Sequence, residues 1–461
     1  MGLLFRPESL IEAQVLDANA RPLEHRQVER SKERGSFFSL FPLNIRSASQ
    51  ALNGEQLARL AVLLTFCDPF PEECLRIATL SNREWKRLLR WLDLSSLTLY
   101  FLDRLLELGL CDLLPSEILK RLNVNLLDNT ERTHKMISES IAIQREFQNH
   151  NLCYALLKGL SLWPCSVQRP ELRVQFDLDF LVDERSAPAA RRILERRGYR
   201  LYSMSARTWE FKLNERPGIS LKDIYKDFRS YAVELHVESN VSSVPSPLER
   251  LEWRELQGMR MPVLSPVDLF MGQGLHVFKH ICGESSRTSH MLEFRRHVLT
   301  RRDDHEFWNR LRRAASESQR APIGLGVVTL LIARMMGAFA PQALTSWTAD
   351  NLPRPVRLWV EMYGHRVALG SYPGDKLYLL LQSELEFVGP PWKRSVRRAL
   401  LPFCLPPPAI RAIPNESLRG RIHRYSMHFQ LILVRLRFHI VEGLRFVLES
   451  RRWRRMKELA Q

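Results

Sequence analysis

The feature that most constrains this chain is a change in the spacing of its apolar residues near residue 150. Upstream, LARLAVLL, EECLRIA, REWKRLLRWL and LYFLDRLLELGL place leucines three to four residues apart, and Val124 to Asn149 continues at that period. This predicts a helical region over 51–150. Downstream, YALL, VQFDLDFLV, YRLYSM, TWEFKLN and YAVELHVES are short runs rich in aromatic and β-branched residues. These read as strands. PAARRILERR stands between the second and third of them, beginning at Ser186 or Ala187, with Gly198 where a C-terminal cap is useful. Residues 151–245 are therefore expected to form a small mixed sheet with one helix. The fold class is α+β, with helical N-terminal and C-terminal regions around that core.

The flanks are less ordered in pattern. The first 50 residues carry the basic stretch RQVERSKERGS and read as an arm. SPVDLFMGQGLHVFKHICG, HMLEFRRHV and DHEFWNRLRRAA predict a helical region over 246–385. PPW and CLPPPAI then break the pattern, so 386–461 reads as a Pro-interrupted, basic region ending in one or two amphipathic helices. With 461 residues, 45% of them hydrophobic, the chain can build two or three packed regions. GVVTLLIA and LILV fall well short of the roughly 20 apolar residues that span a bilayer. The seven cysteines show no C-x-x-C pair, which suits reduced thiols in a cytoplasmic protein better than a disulfide framework or a sulfur metal site. The 68 Lys and Arg against 51 Asp and Glu leave a charge of +17. That favours anionic partners: nucleotides, RNA or an acidic membrane surface touched peripherally.

Within RVQFDLDFLVDE, Asp177 and Asp179 put two like charges into an otherwise apolar strand. Buried unpaired carboxylates are costly, and each disfavours ionisation of the other. Residues two apart share a strand face, so both can converge on one cation while Phe176, Leu178 and Phe180 face the packed side. Hard oxygen ligands point to magnesium, or manganese in its place, rather than zinc. Glu234, flanked by apolar residues in YAVELHVES, becomes a third ligand if its strand pairs with the first. Lys158 can meet a phosphate as a point charge, Gly159 allows close approach of the backbone, and Arg173 can bind phosphate or orient its loop. Lys212 can contact a phosphate or simply lie on the exposed surface, and Trp209 either stacks on a base or packs. Taken singly, each feature has a simpler reading: a D-x-D pair at a solvent edge, a Lys-Gly loop, a glutamate beside a structural histidine.

His276 and His280 lie four apart on a helical run, with His290, His297 and His305 nearby. No H-E-x-x-H pattern or sulfur cluster accompanies them, so structural or solvent-facing roles are expected. The terminal SRRWRRMK suits RNA, a phospholipid surface or an acidic protein, and equally the solvated end of a helix.

These residues resemble the nucleotidyltransferase superfamily of the DNA polymerase beta type, and within it the divergent bacterial nucleotidyltransferase-like proteins. The matches are Lys158-Gly159 after LL, an R-x-x-x-D-x-D-x-L-V core from Arg173 to Val182, Gly198-Tyr199 after a helix, and Val233-Glu234-Leu235-His236. The resemblance covers about 145–240, more weakly 60–310. It implies a nucleotidyltransferase core in which Asp177, Asp179 and Glu234 are catalytic metal ligands. Lys158, Gly159, Ser161 and Arg173 would then stand on the nucleotide side; Leu160-Ser161 comes after Lys158-Gly159 where the superfamily commonly has a Gly-Ser turn. The implied activity is magnesium-dependent transfer of a nucleoside monophosphate from a nucleoside triphosphate, ATP being the expected one, to a hydroxyl of a small molecule, peptide or protein. Pyrophosphate leaves. In related proteins a helical region after the core often covers the acceptor pocket, which makes His280, Arg287 and Arg295 candidates for the acceptor side. The alternatives are a noncatalytic nucleotide- or RNA-binding protein and a kinase-like phosphotransferase on the same fold.

Overall fold

Asn53 and Ser81 each accept from the backbone N–H three residues on, while Gln56 and Glu84 reach back to them. These capping boxes start α1 (Gly54–Leu64) and α2 (Asn82–Ser95). EECLRIA, expected as α-helix, winds instead as a 3-10 helix over Glu72–Thr79. Helices α3 (Thr98–Glu107) and the long α4 (Ser116–Asn149) complete the predicted N-terminal helical region. The computed structural model describes residues 52–460, apart from 206, 214–220, 222, 228–231, 239–245, 285, 372, 386–395 and 401–416. All of them belong to the unit Phe41–Gln461. The basic arm expected over the first 50 residues and the PPW and CLPPPAI interruptions lie outside the described residues.

The chain then builds β1 (Tyr154–Leu157), β2 (Asp177–Asp183), α5 (Ala187–Arg196), β3 (Arg200–Met204), β4 (Thr208–Lys212) and β5 (Ala232–Glu238). Gly198 takes φ +90 just past α5, where a left-handed residue turns the chain into β3. The sheet does not stop at 245. Residues expected to be helical form two more strands, β6 (Leu251–Leu256) and β7 (Met259–Leu264). The physical reason is the two-residue turn between them: Gln257 and Gly258 both have positive φ, the geometry that matches the twist of a hairpin. The seven strands run in the order β3-β4-β5-β2-β1-β7-β6, with β2 parallel to β5, β1 parallel to β7 and the other pairs antiparallel. The fold is thus α+β, a central mixed sheet between N- and C-terminal helical regions.

After the sheet come α6 (Pro266–Ile281), α7 (Thr288–Thr300), α8 (His305–Ser316), α9 (Arg320–Met336), α10 (Arg354–Leu369), α11 (Tyr378–Glu384) and α12 (Leu418–Ala460). Helix α12 is one continuous helix. Its Trp453 is buried and donates Nε1 to Glu384 at 3.1 Å, and Lys457 reaches the same carboxylate at 3.0 Å. The aromatic of the terminal basic run is therefore an anchor to the body, not a surface for stacking on RNA. No helix among the described residues is long and apolar enough to cross a membrane.

Two hydrophobic clusters hold these layers. One joins the N-terminal helices to α6–α10 through Trp85, Trp91, Phe294, Trp308 and Trp359. The other lies beneath the sheet, where Leu178 and Phe180 are fully buried with Phe211, Val233 and Leu235. Each such side chain contributes roughly 1.5–3 kcal/mol by leaving water. Phe147 of α4 meets Tyr154 and Phe180 edge-on, at 5.2 and 5.5 Å between centroids, and so clamps α4 to β1 and β2. Phe176 departs from the expected pattern: it lies before β2 and packs with the helical cluster rather than beside Leu178 and Phe180.

Candidate active site

Strand alternation that buries Leu178 and Phe180 sends Asp177 and Asp179 to the other face. The parallel pairing of β2 with β5 sets Asp179 opposite Glu234, and the same alternation along β5 adds His236 to that face. One ligand atom from each of Asp179, Glu234 and His236 lies within 4.8 Å of the others. His236 Nε2 is 2.9 Å from Asp179 Oδ1 and 3.4 Å from Glu234 Oε2. Lys158 completes the knot: its ammonium donates to Asp179 Oδ1 at 2.6 Å and stands 3.8 Å from Glu234 Oε2. Asp177, paired in register with Ala232, lies one step back along the face.

The backbone is bent to achieve this. Lys158 has φ +44 and Gly159 φ +29, a region that L side chains rarely occupy. A β-carbon on Gly159 would run into the side-chain amide of Gln175, whose Nε2 donates to the Asp177 carbonyl at 2.6 Å. Ser161 is buried, and its hydroxyl donates to the Lys158 carbonyl at 2.7 Å, so it shapes the turn that aims Lys158. Gly159→Ala is expected to cost about 2–4 kcal/mol through strain and overpacking together, read from urea denaturation, and to displace Lys158.

The charges are unequal in state. Burial pushes the Asp177 carboxyl up to about 6, and the neighbouring Asp179 pushes the same way, against Lys158 and Arg173. Burial acts upward on Asp179 too, yet hydrogen bonds from His236 and Lys158 hold it below the usual aspartate value. His236 is raised: burial opposes its charge, but the Asp179 and Glu234 carboxylates favour it more. Asp179 is 1% exposed, and its Oδ2 has no hydrogen-bond partner among the described residues. A group whose pKa is raised in the fold supports stability below that pKa and loses it as pH rises through it. Asp177 therefore destabilises the metal-free protein above pH 6 or so. Asp177→Asn is expected to stabilise it at neutral and alkaline pH by about 1–2 kcal/mol, after discounting for partial exposure, and to flatten the dependence of melting temperature on pH.

Arg173 is tethered rather than free. Its Nε donates to Glu293 of α7 at 3.0 Å, and Glu293 also accepts from Tyr100 at 3.0 Å. Helix α4 fixes the approach to β2: Asn129 donates to the Glu171 carbonyl at 2.7 Å, and Arg132 to the Gln175 carbonyl at 2.6 Å. Lys212 shares the acidic face, but pairs with Glu210 at 2.7 Å and lies 3.6 Å from the Tyr202 ring centroid. Trp209 is on the opposite face, against the sheet core, so it packs rather than offering a stacking platform.

Beside the acidic face is a cavity of about 210 Å³. Lys158 and Arg173 border it from the sheet side, His276 from α6, and His290 and Glu293 from α7. Arg287 is exposed with its guanidinium 5.5 Å from the Phe176 ring centroid. Arg295, expected near the acceptor, is instead buried 6.0 Å from the Phe339 ring, because it leaves α7 on another side from His290 and Glu293. His276, His280 and His290 gather into a cluster with one ligand atom of each within 4.8 Å of the others.

Two contributors, Glu210 and Glu293, were not singled out from the sequence, and His236 entered only as part of the Val-Glu-Leu-His match and as a structural neighbour of Glu234. His236 carried a usable signal, since it stands two residues after Glu234, the same spacing that joins Asp177 to Asp179. Glu210 lies opposite Glu234 across β4 and β5, and only the register reveals it. Glu293 is 120 residues from Arg173, with nothing local to mark it.

No curated protein matches the chain. Among solved structures, an antigenic nucleotidyltransferase-like protein from Paracoccidioides brasiliensis matches with 16% identity over 45% of this chain and 94% of that one, at a TM-score of 0.26. A family model described as uncharacterised nucleotidyltransferase matches residues 81–337, a span that includes the Lys-Gly turn, both aspartates and the Val-Glu-Leu-His strand. The chain belongs to that nucleotidyltransferase family.

Proposed function

We propose that this protein transfers a nucleoside monophosphate from a nucleoside triphosphate, ATP first among them, to a hydroxyl-bearing acceptor, with pyrophosphate as the leaving group. The observation that carries the reading is the convergence of Asp179, Glu234 and His236 with an unpartnered Asp179 Oδ2, and Asp177 on the same face. A buried carboxylate oxygen without a partner, in a set of mainly oxygen donors, fits a divalent cation such as magnesium or manganese. Asp177, Asp179 and Glu234 would hold it, with His236 hydrogen-bonded across two of them and fixing their orientation. Bound there, magnesium supplies Lewis-acid polarisation of the phosphate oxygens.

The remaining work falls to this chain's own groups. Lys158, whose charge now compensates Asp179 and which borders the cavity, would neutralise phosphate charge. Arg173 adds a second positive charge, held in place by Glu293. The largely apolar walls around Leu157, Leu162 and Leu264 exclude water from the acceptor side. The acceptor hydroxyl releases its proton to solvent, and its oxygen would form a bond to the α-phosphorus as the bond to the pyrophosphate oxygen breaks, in line. The test is incubation of purified protein and Mg²⁺ with α-labelled and, separately, γ-labelled nucleotides and a cell-extract acceptor pool. Label from the α-position alone supports this reading; label from the γ-position alone makes the protein a phosphotransferase; nucleotide binding without either transfer makes it a binding protein.

A further inference from the structure

We infer that His276, His280 and His290 form a second metal site, separate from the carboxylates, which takes a borderline first-row cation such as zinc and keeps one coordination position turned to the cavity. His276 and His280 stand one turn apart on α6, with ring centroids 4.6 Å apart. Helix α7 brings in His290, 5.1 Å from the first and 5.3 Å from the second. Their spacing is set by packing elsewhere on the two helices. Phe270 and Phe294 pack with tilted rings 5.0 Å between centroids, and a β-carbon on Gly274 would collide with Phe294 and Leu325. The three rings are thus presented to one point by a core that does not depend on a ligand.

The chemistry of the donors differs from that of the acidic face. Imidazole nitrogens suit zinc, cobalt or nickel, whereas magnesium wants oxygen. Three protein nitrogens with an open fourth position is a frequent arrangement for zinc that meets a small ligand. A second observation points to an occupant: His290 Nδ1 is buried and has no hydrogen-bond partner among the described residues. Leaving such an atom unsatisfied costs roughly 1–3 kcal/mol. Burial, then the charge of His280, hold His276 down to about 3, and burial holds His290 well below its ordinary value. Both rings are therefore neutral, which is the ligating form.

The surrounding charge shapes what completes the site. Lys158, Lys279 and Arg173 act electrostatically on His276, and Arg287 acts on His290. These cations oppose a bare dication and favour an anion beside it. His276 and His290 both border the cavity, so the open position faces the space where an acceptor would sit. The site consequently binds a cation and an anionic group of the acceptor together, the cavity's apolar walls taking the rest.

The test uses the full chain stripped with a chelator and titrated with Co²⁺ alone, and then with azide. The expected result is one equivalent giving intense visible d–d bands, which shift on adding azide. His280→Gln and His290→Gln each weaken Co²⁺ binding by at least ~10-fold with far-UV circular dichroism unchanged, while Asp179→Asn leaves the bands intact. If His290→Gln fails to fold, His280→Gln carries the test alone. Absence of the bands, their survival in the histidine variants, or their loss in Asp179→Asn but not His280→Gln overturns the second site. Bands indifferent to azide overturn the open position. None of these outcomes depends on transfer activity, so the site stands or falls apart from the proposed reaction.

Discussion

Asp179→Asn is expected to lower kcat/KM for the proposed nucleotidyl transfer by roughly 10³-fold or more, the scale of losing a metal ligand and the charge that organises it. The side chain is buried, accepts from Lys158 at 2.6 Å and His236 at 2.9 Å, and presents its second oxygen to the same face. Asparagine keeps the shape and removes the charge. Lys158 then loses the anion that fixes it, and a divalent cation loses its most buried ligand. Steady-state kinetics with saturating Mg²⁺ separates the two contributions: extra metal restores part of the rate if affinity alone has fallen. Glu234→Gln shifts the rate in the same direction with a smaller loss, since Glu234 is 25% exposed.

The largest effect on stability belongs to Glu293→Ala, expected to destabilise the fold by about 3–5 kcal/mol. Glu293 is 2% exposed at its side chain and is shared by Arg173 and the Tyr100 hydroxyl. Removing it strands a largely buried guanidinium and an unpaired hydroxyl at the junction of α3, α7 and the loop before β2. Glu293→Gln keeps an acceptor for Tyr100 and should lose markedly less. Urea denaturation measures both, and the difference between them isolates the charge from the shape.

How much the sequence disclosed depends on how local each signal is. Asp177 and Asp179 stood out because two carboxylates in one apolar strand violate the rule for burial, and Glu234 because its neighbours are apolar on both sides. The helix from Ala187 to Arg196 and its Gly198 cap were equally local. The β6–β7 hairpin was missed although LEWREL and MRMPVL flank a two-residue turn ending in glycine. Pro262 within the second run is an unfavourable strand residue, and the helix entry at Ser265-Pro266 follows it directly. Arg173 illustrates the other limit. Its charge suits a phosphate, but that Glu293, far away in sequence, holds its Nε is visible only in the fold. His290 likewise joins His276 and His280 only because α6 and α7 pack together, a relation that no spacing along the chain encodes.

A divalent-metal site for a nucleoside triphosphate is the role proposed for the face bearing Asp177, Asp179 and Glu234. Calorimetric titration with the nonhydrolysable analogue α,β-methylene ATP, with Mg²⁺ and then with the metal removed by chelator, tests it most directly. The expected result is binding that needs the metal and is lost in Asp179→Asn while the variant keeps its fold. Equal affinity with and without metal, or undiminished binding by Asp179→Asn, would contradict it.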